Sequence, residues 1–335
     1  MFDPHMTVSI LVPVYGVEQY IEQCAVSLFE QTYKEIEYIF VDDCSVDHSI
    51  DILNDVLSRY PSRRAQVRMV RHELNRGLGA ARKTALSYAT GEFVLNVDSD
   101  DYLPLDAVER LVQAQLSSGA DIVSGAFLYL YPDGSTRQET CLTDLSRQRM
   151  LRLFLAQNTI PYNIWARLIR RTLYTDHGID AIEGINYAED YALTSRLLFV
   201  AKTTCNINHA VSVYRLATDT GTFHQMHHHH AVSLLKANEV VWHFFQANDK
   251  NGEFGYALEL GMLNTMQRVL AAGLSKKEIT EYLHYRPQRL LFRLCHACFA
   301  HKPVHRLLRL TYLALKWWYK RLIPPSCIHQ GAAIL

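Results

Sequence analysis

Phe93-Val94-Leu95-Asn96-Val97 runs straight into Asp98-Ser99-Asp100-Asp101, a short, mostly apolar segment that ends in carboxylates. Such a run before a polar turn reads as a buried strand. The same form recurs upstream. Residues 8–12, 36–41 and 67–70 are strand-like, and residues 17–31, 47–60 and 77–89 between them carry helical spacing. Asp47 is placed to cap the second of these helices, and Gly91 to break the third. This alternation predicts an α/β fold, a mostly parallel sheet covered by helices. In such a sheet ligands bind beyond the carboxyl ends of the strands. Those ends carry Pro13, Val14 and Tyr15 after the first strand, Asp42 and Asp43 after the second, and Asp98, Ser99, Asp100 and Asp101 after the fourth. All three clusters are expected on one edge.

Crowded carboxylates repel, so they either hold protons or gather a cation. Magnesium typically uses one or two carboxylates and completes its shell with substrate phosphates. Asp98 and Asp100 alternate along an extended segment and so face the same side. By itself the triplet could equally be a polar turn, with Asp101 capping the next helix. Further on, residues 107–116 read as a helix and 122–129 as a strand, followed by a turn at Pro132-Asp133-Gly134. Helices are expected at 146–157 and 187–199, short strands at 203–207 and 211–214, and helices from about 225 onward.

These motifs, taken together and in order, resemble the family 2 glycosyltransferases. The resemblance rests on Val8 to Tyr15, on Gln31-Thr32-Tyr33, and on Glu37 to Asp47 with its Asp42-Asp43 pair. It continues through Asn75-Arg76-Gly77, Ala80-Ala81-Arg82 and Asp98-Ser99-Asp100-Asp101, and covers roughly residues 7–215. It implies the GT-A fold: a Rossmann-like nucleotide-binding sheet leading into an acceptor-binding half, here with a helical C-terminal extension. Residues 1–220 would be the catalytic domain and 221–335 an α-helical region. By resemblance, Pro13, Tyr15, Asp42, Asp43, Asn75, Arg82 and Asp98 bind the nucleotide sugar. Asp100, with Asp98 and Asp101, would hold Mn2+ or Mg2+.

The second half adds Asn163-Ile164-Trp165-Ala166-Arg167 and Ile185-Asn186-Tyr187-Ala188-Glu189-Asp190. In the family the Asp of the latter segment is the catalytic base, so Asp190 takes that role here. Glu189 and Trp165 would support or contact the acceptor. Tyr214-Arg215 resembles the pair that closes the domain, with Arg215 facing the diphosphate. A sugar hydroxyl must lose its proton as it attacks, which a carboxylate at a helix start suits. The chain departs from the pattern at Gly16, where Asn is usual, at Cys44 and Ala188, where Gly is usual, and at Val46, Lys83 and Ala85. The implied reaction is inverting transfer from a nucleotide-diphosphate sugar, UDP being the first expectation, to a glycan or lipid-linked hydroxyl acceptor in bacterial polysaccharide synthesis.

Lys+Arg and Asp+Glu each number 34, so no global field selects nucleic acid as a partner. Charge is uneven, however. No acidic residue follows Glu281, whereas Arg286, Arg289, Arg293, Lys302, Arg306, Arg309, Lys316, Lys320 and Arg321 do. Wound as a helix, residues 304–322 place Arg306, Arg309, Lys316 and Lys320 on one face, opposite Leu307, Leu308, Leu315 and Trp318. Such a helix suits either an anionic membrane surface or docking on protein. The seven scattered cysteines, with no secretory signal read near the start, predict a cytoplasmic chain, peripheral at most on the inner face of the membrane. The single Cys295/Cys298 pair lacks the second pair that zinc would need, and helix packing explains it. His224 and residues 227–230 are weak metal candidates. A nucleotidyltransferase would share the sheet and the metal, but Pro13-Val14-Tyr15-Gly16 is no phosphate loop. A non-catalytic nucleotide-sugar binder would not need Asp98, Asp100 and Asp190 together.

Overall fold

A computed structural model of the chain describes residues 6–139, 145–157, 163–216, 226–290, 292, 293 and 296. Two compact units emerge: Met1–Arg147 with Tyr162–Thr222, and Gln148–Pro161 with Phe223–Leu335.

The first unit is built on one eight-stranded sheet. Its strands are β1 (Val8–Val14), β2 (Ile36–Asp42), β3 (Val67–Arg71), β4 (Phe93–Asn96), β5 (Ile122–Leu130), β6 (Thr136–Glu139), β7 (Arg167–Arg170) and β8 (Thr204–Arg215). The order is β3-β2-β1-β4-β7-β5-β6, with β8 also paired to β5. β3, β2, β1 and β4 run parallel, as the strand–helix alternation predicts. β7 then joins both β4 and β5 antiparallel, β6 joins β5 antiparallel, and β8 joins β5 parallel. The sheet is therefore mixed. Hydrophobic pattern alone does not tell strand direction once both faces are buried.

The helices of this unit are α1 (Ile21–Phe29), α2 (Ser49–Ser58), α3 (Leu78–Tyr88), α4 (Ala107–Ser118), α6 (Thr172–Thr175) and α7 (Glu189–Val200), with α5 (Arg147–Leu155) beginning at its margin. Every residue of β1 is buried, so it is packed on both faces. Val8, Ile10 and Val12 join a core with Leu28, Phe29 and Leu53 of α1 and α2. α3 meets the sheet through Ala80, Ala81 and Ala85, side chains small enough for close approach.

Three local expectations need revision. Asp47 stands one residue before the N-cap His48 and accepts from Ser49 N at 3.2 Å and Ser49 Oγ at 2.7 Å, so it steadies the helix entry from outside. Gly91 is not a helix stop, because α3 already ends at Tyr88. It lies so close to β1 that a Cβ there would meet Ser9 Oγ at 2.6 Å and Thr7 O at 2.7 Å. The two short strands expected at 203–207 and 211–214 are one strand, β8, with register shifts opposite Gly125-Ala126-Phe127. A Cβ on Gly125 would sit 2.2 Å from Val211 Cγ2, so glycine lets the irregular strand pass.

The second unit is helical, with α8 (His228–Asn248), α9 (Gly255–Ala271) and α10 (Lys276–Tyr282). The Gln157 amide joins Asn238 Oδ1 of α8 at 3.0 Å to Thr265 Oγ1 of α9 at 2.9 Å. Glu259, 1% exposed, accepts from Arg289 Nη1 at 2.6 Å, Gln288 N at 3.1 Å and the Tyr285 hydroxyl at 3.2 Å. That satisfied carboxylate ties the segment after α10 to α9. A Ser275/Glu278 capping box starts α10. The Cys295/Cys298 pair, His224 and the 304–322 helix lie outside the described residues. No described helix is long and apolar enough to cross a membrane.

Candidate active site

β1, β2 and β4 are parallel neighbours, so their carboxyl ends open on one edge. Pro13 closes β1 in the sheet, and Tyr15 follows it, 48% exposed. Asp42 and Asp43, both buried, have separate tasks. The Asp43 carboxylate pairs with His72 Nδ1 at 2.6 Å and accepts from Arg76 N at 2.9 Å and Gly77 N at 2.7 Å. His72 in turn reaches Thr84 Oγ1 at 2.9 Å. Asp43 is thus the anchor of the loop that presents exposed Asn75. Asp42 Oδ1 accepts from Ser45 N at 2.7 Å, while its Oδ2 lies 3.3 Å from Arg71 Nε without a hydrogen bond.

The same loop grips the segment that leads to Asp190. Arg76 forms a forked pair with Glu183, at 3.1 and 2.8 Å. Gly77, at φ +86°, leaves no room for a Cβ, which would lie 2.4 Å from Asn186 Nδ2. His72 and Glu183 escape a sequence reading because nothing in their own spacing marks them.

Beyond β4 the carboxylates crowd. Asp100 keeps solvent access, but the protein wall around its carboxyl and the charge of Asp98 push its pKa up to about 6. Asp101, 1% exposed, is pushed well above the usual range by burial and by Asp100 and Asp98. Its Oδ1 accepts from Arg215 N at 2.9 Å, and its Oδ2 is buried without a partner. Among the described residues, no group of three or more His, Cys, Asp or Glu side chains is arranged to hold a metal ion.

Arg82, 2% exposed, links this cluster to the start of α7. Its Nη2 donates to Asp98 Oδ1 at 2.8 Å and lies 3.6 Å from Asp190 Oδ1 and 3.7 Å from Glu189 Oε1. Burial opposes its charge, yet Asp98, Asp190 and Glu189 hold its pKa above the ordinary guanidinium value. Burial, then the neighbouring Glu189, raises Asp190 well above the usual carboxylate range, while Arg82 and the Ile164 N–H pull the other way. Asp190 Oδ1 is buried without a hydrogen bond.

Arg215 lays its guanidinium over the rings of Tyr20 and Tyr102, at 5.5 and 5.1 Å, and donates to Gln23 Oε1. Tyr214 stacks on Trp165 with centroids 5.3 Å apart and planes 5° from parallel. Trp165 also meets Phe127 edge-on at 4.7 Å and is 8% exposed, which makes it part of the wall behind the site. Three of the six departures from the family pattern share a geometry. Gly16, Cys44 and Ala188 all have positive φ, at +65°, +62° and +62°. Gly and Asn enter that region most readily, so Cys44 and Ala188 keep the glycine conformation without the glycine.

The sequence model of glycosyl transferase family 2 matches residues 9–177, half of the chain. The chain belongs to this family. Among curated family 2 relatives, the uncharacterized glycosyltransferase EpsJ of Bacillus subtilis is 32% identical over 62% of this chain and 60% of its own length. The poly(ribitol-phosphate) beta-glucosyltransferase of Bacillus spizizenii is 39% identical over 36% of this chain and 19% of its own. The chain therefore spans less than two thirds of either relative. Staphylococcus aureus TarS 1-349 in complex with UDP-GlcNAc superposes with a TM-score of 0.56 at 21% identity, over 83% of this chain and 84% of that one. The mannosyltransferase PcManGT of Pyrobaculum calidifontis, in complex with GDP-Man and Mn2+, gives 0.52 at 19%, over 96% and 89%. At those identities the likeness establishes the GT-A fold.

Proposed function

We propose that this chain transfers a sugar, with inversion, from a nucleoside diphosphate sugar to a hydroxyl of a glycan or lipid-linked acceptor in bacterial polysaccharide synthesis. The observation that carries the reading is Arg82, one buried cation between the donor-side Asp98 and the base candidate Asp190.

Asp98, Asp100 and Asp101 do not form a three-ligand metal site by themselves, so one or two of them would hold Mn2+ or Mg2+ together with the donor. Their mutual repulsion and the partnerless Asp101 Oδ2 call for positive charge. With so few ligands from the protein, donor phosphate oxygens would complete the shell. Such an ion supplies charge neutralisation on the departing diphosphate. Tyr15 offers a ring to the base of the donor, and Asp98, fixed by Arg82, orients its ribose. Asp190 takes the proton of the acceptor hydroxyl as that oxygen bonds to the anomeric carbon and the bond to the diphosphate breaks on the opposite side. At 3.6 Å, Arg82 opposes the rise in the Asp190 pKa and favours its ionised form, without a hydrogen bond that would occupy the basic oxygen. One displacement needs no covalent enzyme intermediate, and most of the acceleration comes from positioning and electrostatics.

UDP is the first carrier to try, since the TarS structure holds UDP-GlcNAc. We assign the basic stretch 304–322 to an anionic membrane surface at the cytoplasmic face. The deciding experiment is a panel of UDP- and GDP-sugars, scored for release of nucleoside diphosphate with manganese or magnesium. Release from one donor, stimulated by an acceptor glycan and lost in Asp190→Asn, is expected. No release from any donor in the panel overturns the reading.

A further inference from the structure

We propose that the helical unit carries a binding site for a single-chain lipid phosphate, sharing no residue with the carboxylate cluster. A cavity of about 350 Å³ lies between α9, α10 and the segment after α10. That is within the range of roughly 300–1,000 Å³ usual for small-molecule sites. Met266, Leu270, Ile279 and Leu283 give it an apolar floor.

Its charged lining has one sign. Lys276 and Arg286 line the cavity beside the His296 ring, and among the described residues no Asp or Glu does. His284 also lines it, but its ring is held by Glu239 at 2.7 Å and is left out of this count. Neither Lys276 nor Arg286 has an acidic partner within 4 Å among the described residues. Lys276 is near enough to His296 to add to the effect of burial in lowering the imidazole pKa, so a neutral hydrogen-bonding ring stands beside the ammonium.

An apolar floor beneath unpaired cations matches one kind of ligand: an alkyl or prenyl chain that ends in phosphate. The head gains charge-assisted hydrogen bonds, and the chain leaves water. The chain's own C-terminal stretch does not answer the same need. It has no Asp or Glu after Glu281, so it would bring more positive charge to a positive rim. The role of acceptor carrier for such a lipid rests on the transfer reading above, whereas the binding itself does not.

The test is calorimetric titration of the full chain with hexyl, octyl and decyl phosphate below their micelle concentrations, beside octanol and inorganic phosphate. Affinity should rise about fourfold per methylene, the value expected for burying a CH2 group. Octyl phosphate should bind at least about tenfold more tightly than octanol or phosphate. Lys276→Glu and Arg286→Glu should each weaken octyl phosphate about tenfold, with octanol binding, far-UV circular dichroism and donor turnover unchanged. A flat chain-length series, the absence of saturable binding, or full affinity in both charge variants overturns the proposal. Nucleotide release is measured separately, so failure here leaves the transferase reading standing, and the reverse.

Discussion

The Arg82 guanidinium stands 3.6 Å from the Asp190 carboxylate, close enough to stabilise its charge yet without a hydrogen bond to Oδ1. A base needs that combination: ionised, with a lone pair free. Burial and Glu189 raise the Asp190 pKa and Arg82 lowers it, so in the proposed mechanism the cation sets where Asp190 becomes active as a base.

Arg82→Met should therefore lower kcat/KM by about 10²–10³-fold, the usual cost of one preorganised electrostatic contact. It should also move the acid limb of the pH profile to higher pH, because losing a neighbouring cation favours the protonated carboxyl. The pH profile checks this. An unmoved acid limb with reduced activity would assign Arg82 to packing alone.

Asp190→Asn and Asp100→Asn should both cut turnover by more than about 10²-fold, for different reasons. The first removes the proton acceptor and leaves donor affinity near the parent value. The second weakens manganese-dependent donor binding, which calorimetry with and without manganese measures.

Stability should fall as pH rises through this cluster in metal-free buffer. Asp100, Asp101, Glu189 and Asp190 all have raised pKa values, so the native state holds protons that the unfolded chain has released. Where the native state binds more protons, stability declines with pH. For Asp100 the window opens near its ordinary value of 3.8 and closes above about 6. The melting temperature should drop across that window, and excess manganese should flatten the decline at its upper end.

Ala188→Gly should stabilise the protein by about 1 kcal/mol, because an L-residue with a side chain at φ +62° carries roughly that strain. Cys44→Gly should act likewise. Chemical denaturation measures both. Ala188→Val should destabilise by more than the glycine variant gains, since a β-branched side chain fits this region worst.

Much of the fold was legible in the sequence because β2 and β4 each end where apolar residues give way to carboxylates, and β1 ends at Pro13-Val14-Tyr15. The sheet edge followed from that pattern. The antiparallel pairings of β7 did not, since a strand buried on both faces has no directional signature. Asp98, Asp100 and Asp190 were readable as chemistry-bearing groups from their neighbours in sequence. Which of Asp42 and Asp43 anchors the loop of Asn75 was not, because it depends on His72, Arg76 and Gly77 gathering on Asp43. Trp165 was expected to support or contact the acceptor, and its stack on Tyr214 exists only once β8 is in place.

Asp101 finds its backbone donor at Arg215, the last residue of β8, although Asp101 itself follows β4. During synthesis, β1, β2 and β4 are made before this donor exists, so the turn after β4 gains its lock only once the strand that carries Arg215 has been made.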